Sequence, residues 1–90
     1  MIRLTIDGAE IHTIPQLHQV FARTLAFPEW YGRNFDALYD CLNDIPVEVL
    51  IRVTNQSLLR EHIGRGADIL SRVLTHAAME NPKLLIEYVD

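Results

Sequence analysis

Three short stretches of this chain alternate apolar and polar residues, and the intervals between them are far too long for hairpins. Ile2, Leu4 and Ile6 alternate with Arg3 and Thr5; Val47, Val49, Ile51 and Val53 alternate with Glu48, Leu50 and Arg52; Leu84, Ile86 and Tyr88 repeat the pattern near the end. A period of two is that of a strand with one buried face. Each interval is long enough for a crossover connection, so the strands are expected to run parallel. Right-handed crossovers stepping in one direction place every helix on the same face of a sheet ordered 1-2-3. The opposite face would carry Arg3, Thr5, Glu48, Arg52, Lys83 and Glu87, whose polarity implies water. That departs from the usual parallel sheet, which is covered on both faces. The expected fold class is therefore α/β, a two-layer arrangement of a three-stranded parallel sheet with about four helices mainly on one face.

The intervals read as helices with recognisable ends. Asp7-Gly8 turns the chain after the first strand, and Thr13 followed by Gln16 has the form of a capping box. Leu17, Val20, Phe21, Thr24 and Leu25 then repeat at helical spacing, giving a helix from about Ile14 to Leu25. Pro28 ends that element. Gly32 permits a tight approach before Asn34, a good N-cap for a second helix running to about Asn43. Asn55 to Ile63 suggests a short third helix stopped by Gly64 and Gly66. From Ala67, the spacing of Ile69, Leu70, Val73, Leu74 and Ala77 marks a fourth that ends near Asn81-Pro82.

Ninety residues make one domain, 1–90, able to bury a core without disulfide or metal staples. The first residues have no long apolar run of the kind a signal peptide needs, and no apolar stretch is long enough to span a bilayer. A cytoplasmic protein is expected. The single cysteine, Cys41, excludes an internal disulfide and reads as a buried free thiol on a helix's apolar face. His12, His18, His62 and His76 lack metal-ligand spacing, and no phosphate-binding glycine loop, serine elbow or calcium loop is present. No cofactor is implied.

The formal net charge of −4 is concentrated in one place. Glu29, Asp36, Asp40, Asp44 and Glu48 face Arg33 alone, while the rest of the chain balances. A patch of this sign repels nucleic acid and attracts basic protein surfaces. On a helix that advances about 100° per residue, Phe35, Leu38, Cys41 and Leu42 gather on one face and Asp36, Tyr39, Asp40 and Asn43 on another. Asp36 falls in the first turn, where exposed amides favour a carboxylate; Asp40 has no such local reason. Trp30, Tyr31 and Tyr39 flank these carboxylates, and large aromatics beside acidic groups suit a tight interface with a basic, concave partner. A phosphate-binding enzyme site is such a partner, because its cations accept a carboxylate in place of phosphate.

The residues Tyr31-Gly32, Asn34, Asp36-Ala37-Leu38 and Asp40-Cys41-Leu42 together resemble the barstar family of barnase-type ribonuclease inhibitors. The likeness extends over nearly the whole chain, through Gly8, Leu17-His18, Leu25 to Glu29, Gly66-Ala67 and the last strand. The resemblance implies a stoichiometric inhibitor that puts its second helix and the preceding loop into a ribonuclease active site. Asp40 would take the phosphate position, Asp36 would meet a neighbouring basic residue, and Trp30 and Tyr31 would pack over the site. Gly32 and Asn34 would give backbone and amide contacts, with Tyr39, Asn43 and Asp44 on the same surface. His76 falls where the family has a contributing glutamate on the fourth helix. Arg33 stands in place of an acidic residue, Tyr39 in place of a tryptophan, and the connection from Leu42 to Pro46 is shortened and lacks an aromatic. These departures point to a ribonuclease related to barnase but different from it, as in a toxin and immunity pair; the resemblance implies a secreted or toxin-type enzyme bound one-to-one, and the chain is expected to be a monomer.

Two other readings compete. The same surface could serve an acidic module that binds a different basic protein or toxin. Asp36 and Asp40 could also share a divalent ion in a small metal-dependent enzyme, although two ligands without neighbouring oxygens make a weak site.

Overall fold

The computed structural model describes residues 1–90. Its elements follow the order β1 (Ile2–Asp7), α1 (Ile14–Thr24), α2 (Phe35–Asn43), β2 (Val49–Thr54), α3 (Gln56–Ile63), α4 (Arg65–Glu80) and β3 (Leu84–Val89). The sheet is parallel throughout and ordered β1-β2-β3, with Leu4, Ile51 and Ile86 in register, and beside them Thr5, Arg52 and Glu87. Alternation decides which face is covered. Leu4, Ile6, Val49, Ile51, Val53 and Leu84 are buried, whereas Arg3, Thr5 and Arg52 are exposed. Arg52 pairs with Glu87 across that open face. The helices therefore form a second layer on one side, with α4 packed on α2, α3 and β3, and α1 on β1.

The local signals act as their chemistry requires. Thr13 caps α1 by accepting from the Gln16 amide, while Gln16 Oε1 reaches one residue further back than a capping box, to the His12 amide. Asn34 caps α2 by accepting from the Ala37 amide at 2.8 Å. Val47 is exposed and precedes the strand, so β2 begins later than its alternation suggests.

One expectation is corrected. Gly64 ends α3, but Gly66 lies inside α4, which starts at Arg65 and not near Ala67. Gly64 takes φ +59°, a region that favours glycine. Gly66 is buried against Ile14, whose Cδ1 would lie 2.9 Å from an added Cβ. Helix packing, and not chain termination, accounts for the second glycine.

The end of α2 is held from a distance. Its last carbonyls lack intrahelical donors. The buried Asn81 supplies them: its Nδ2 donates to Leu42 O and Ile45 O at 3.0 Å each and to Asn43 O at 3.4 Å, while its Oδ1 accepts from the Lys83 amide. Leu42 O also accepts from the Asp44 and Ile45 amides, so Asn81→Ala chiefly strips Asn43 O, Ile45 O and the Lys83 amide of this partner, and we expect a loss of about 2 kcal/mol in urea unfolding.

Candidate functional site

The loop entering α2 is fixed by a buried aromatic cluster. Tyr31 Oη and His18 Nδ1 share a 2.6 Å hydrogen bond, and Phe27 meets the Tyr31 ring edge-on at 4.9 Å between centroids. Phe35 packs on the other side of His18, 5.2 Å away. Tyr31 is thus 6% exposed while Trp30 is 80% exposed. Of the two rings expected to pack over a partner, Tyr31 is nearly enclosed within the chain. Tyr31 is drawn inward because its hydroxyl finds a partner only in His18, and its part in the site is to hold the loop. Trp30 alone presents its ring to solvent.

Between this cluster and α2 the backbone is tight. Arg33 adopts φ +52°, a left-handed conformation that costs a non-glycine residue about 1 kcal/mol or more. Gly32 is closely approached: an added Cβ would sit 3.0 Å from Asn34 Nδ2 and 3.4 Å from Ala37 Cβ, so the Asn34 amide would have to give by a few tenths of an ångström. Asn34 Oδ1 is committed to capping and its Nδ2 donates to Gly32 O, so its amide is largely occupied within the loop.

Leu38 and Leu42 anchor α2 in the core and turn its opposite side outward. Asp36, Asp40 and Asp44 recur every four residues there, all exposed. The chain's ion pairs, Arg52 with Glu87 and Arg60 with Asp68, lie elsewhere, and no side-chain hydrogen bond involves these three carboxylates. Two grooves flank them. On one side Cys41 and Asp44 border a groove of about 270 Å³ with Phe27, Pro28, Trp30 and Ile45. On the other, Asp36 and Tyr39 face Arg72 and His76 of α4 across a groove of about 330 Å³. From helical geometry Asp40 sits on the ridge between them. Asn43 is half-buried with its Oδ1 enclosed and unpartnered, so that oxygen is turned away from the surface expected for it.

A family model described as Barstar (barnase inhibitor) matches residues 1–88. The chain belongs to the barstar family. It is also 35% identical over 83 residues, covering 89% of each chain, to the protein named "Putative ribonuclease inhibitor YrdF" of Bacillus subtilis (strain 168). Within the barstar frame, the structure brings His76 beside Asp36 and Tyr39 and adds Arg72, which sequence reasoning missed. The signal was available, since Arg72 and His76 stand one helical turn apart. No group of three or more His, Cys, Asp or Glu side chains is placed to hold a metal ion, so Asp36 and Asp40 gain no third ligand. No helix is long and apolar enough to cross a membrane.

Three titratable groups at or beside the site are shifted, and burial pushes the Tyr31 hydroxyl well above its ordinary value. Burial, then Asp44 and Asp40, push the Cys41 thiol up, which keeps it protonated at neutral pH and unsuited to nucleophilic work. Cys41 is half-buried, less enclosed than its place on the apolar face suggested. Burial, and then the positive charge of Arg33, lower the His18 pKa below its ordinary 6.5. His18 is enclosed with Nε2 unpartnered, so a second ring proton would have no acceptor. The unfolded chain then binds a proton more readily than the folded one. Stability is full above the ordinary value and falls as the pH drops below 6.5 toward the depressed folded value. We expect a slope of up to about 1.4 kcal/mol per pH unit in that window, absent from His18→Gln, when urea unfolding is followed against pH.

Proposed function

We propose that this chain is a stoichiometric inhibitor of a barnase-like ribonuclease and seats α2 in the enzyme's basic active site. The observation that carries the reading is the run of Asp36, Asp40 and Asp44, exposed along one side of a rigidly held helix and without partners inside the chain. Carboxylates so placed offer oxygens where a ribonuclease expects phosphate. Trp30 adds an exposed ring beside them, able to cover the rim and exclude water. The B. subtilis relative's name and the family description point the same way.

In this reading Asp40 on the ridge takes the phosphate position, Asp36 meets a cation on one flank, and Asp44 and Trp30 engage the other. Gly32 and Asn34 lie where the enzyme passes closest to the loop backbone. No chemistry is performed; the protein acts by occupying the site.

The test is capture of proteins from the source organism with the tagged chain, followed by titration of whatever ribonuclease activity is retained. Complete inhibition at one chain per enzyme is the expected outcome. A captured basic protein without ribonuclease activity would move the reading to a different acidic-surface partnership on the same scaffold.

A further inference from the structure

The groove between α2 and α4 has banks of opposite sign. Asp36 and Tyr39 form the α2 bank; Arg72 and His76, one turn apart on α4, form the other, with Phe35, Ile69 and Val73 also lining it. Asp36 and Arg72 do not pair with each other, although both are exposed and border the same space. The helices that carry the two banks pack on each other, so the groove itself is fixed while the exposed side chains along it are free to meet a partner. A purely basic partner surface would suit Asp36 and be repelled by Arg72. Like charges brought together in a water-poor interface cost several times what they cost at a free surface.

We propose that this groove receives an acidic side chain of the partner on its α4 bank, with Arg72 as the residue that selects it and His76 as a second donor. The proposal rests on the ribonuclease-inhibitor reading and names what that enzyme must carry: a carboxylate beside the cationic cluster that meets Asp36 and Asp40. The guanidinium can bind a carboxylate through two parallel N–H donors, which fixes orientation as well as charge. The groove is continuous with the α2 surface through Asp36, so both contacts form in one docking event. Specificity among basic ribonucleases would then be set on α4, away from the ridge that blocks the active site.

The probe is the ribonuclease retained by the wild-type chain, and the readout is the inhibition constant of Arg72→Ala, Arg72→Glu, His76→Ala and Asp40→Ala. Arg72 is exposed, so its variants are expected to melt as wild type does. Arg72→Ala should weaken inhibition about fivefold or more and Arg72→Glu about thirtyfold or more, as expected for an interfacial charge-assisted pair. Reversal of one Asp or Glu on the ribonuclease to Lys should restore binding to Arg72→Glu alone. If Arg72→Glu inhibits as well as or better than wild type while Asp40→Ala is crippled, the groove assignment is wrong and the inhibitor reading stands. If Arg72→Glu and Asp40→Ala both inhibit as wild type does, this inference fails and the ridge carboxylate is not what blocks the enzyme; if no ribonuclease is retained by the wild type, the inhibitor reading fails and this inference with it.

Discussion

Asp40→Ala is expected to weaken ribonuclease inhibition at least about a hundredfold and to leave the free protein as stable as before, or slightly more so. Both halves follow from where this carboxylate stands. Asp40 lies in the second half of α2 and Asp44 caps its end, and the last turn holds no basic residue. A negative charge there opposes the helix dipole, and Asp36, Asp40 and Asp44 repel one another at spacings of four. Removing Asp40 should therefore stabilise the isolated chain by about 0.5 kcal/mol. In the complex the balance inverts. A carboxylate docked among cations with water excluded leaves those cations buried and unpaired once it is removed, at a cost of about 3–5 kcal/mol. That is a loss of at least about a hundredfold in affinity. Asp40→Asn keeps the shape and loses the charge, so it should fall close to alanine. Inhibition titrations and thermal melts on the same preparations check both halves. Inhibition by Asp40→Ala within threefold of wild type would show that the ridge carboxylate is not what blocks the enzyme.

Much of this site was legible in the sequence because it is local. Asn34, the periodic Leu38 and Leu42, and the aspartates four apart lie within one short segment, and helical periodicity alone sorts them into a buried and an exposed side. The strands were legible for the same reason, since a period of two survives any tertiary setting. What could not be read depends on partners remote in sequence. Tyr31 turns inward only because His18, thirteen residues earlier, lies opposite its hydroxyl. Asn81 looks like an ordinary helix stop until its amide is seen to reach the end of α2, nearly forty residues away. Gly66 reads as a breaker because the side chain of Ile14 cannot be placed against it from sequence. Arg72 was one of several balanced charges until packing set it across a groove from Asp36. The residues that present the site were thus visible, and those that aim it or border it were not.

The same limit applies to Gly8, which in sequence is only the second half of an Asp-Gly turn. An added Cβ would overlap the Asn55 carbonyl oxygen and lie 2.6 Å from the Leu59 amide nitrogen, so the start of α3 runs directly against this residue. The junction has little room to yield. The Gly8 amide donates to Thr54 O at 2.8 Å, Asp7 Oδ1 accepts from Asn55 Nδ2 at 2.8 Å, and the His62 Nδ1 proton is shared between Gly8 O and Ile11 O. Asn55 already occupies a left-handed conformation at φ +52°. Relief of the clash must break some of these bonds or part β1 from α3. Gly8→Ala is expected to lose about 4 kcal/mol, beyond ordinary overpacking because the obstructing atoms are backbone. For a chain of this length that lowers the melting temperature by about 15 °C or more. Gly64→Ala is the matched control: nothing lies within 4 Å of its added Cβ, and only its φ of +59° resists substitution. It should lose about 1–2 kcal/mol. A loss of under about 1 kcal/mol for Gly8→Ala would mean that β1 and α3 do not meet as described. Because Gly8 touches neither α2 nor its grooves, the fraction of Gly8→Ala that remains folded at low temperature should inhibit as wild type does, in contrast to Asp40→Ala.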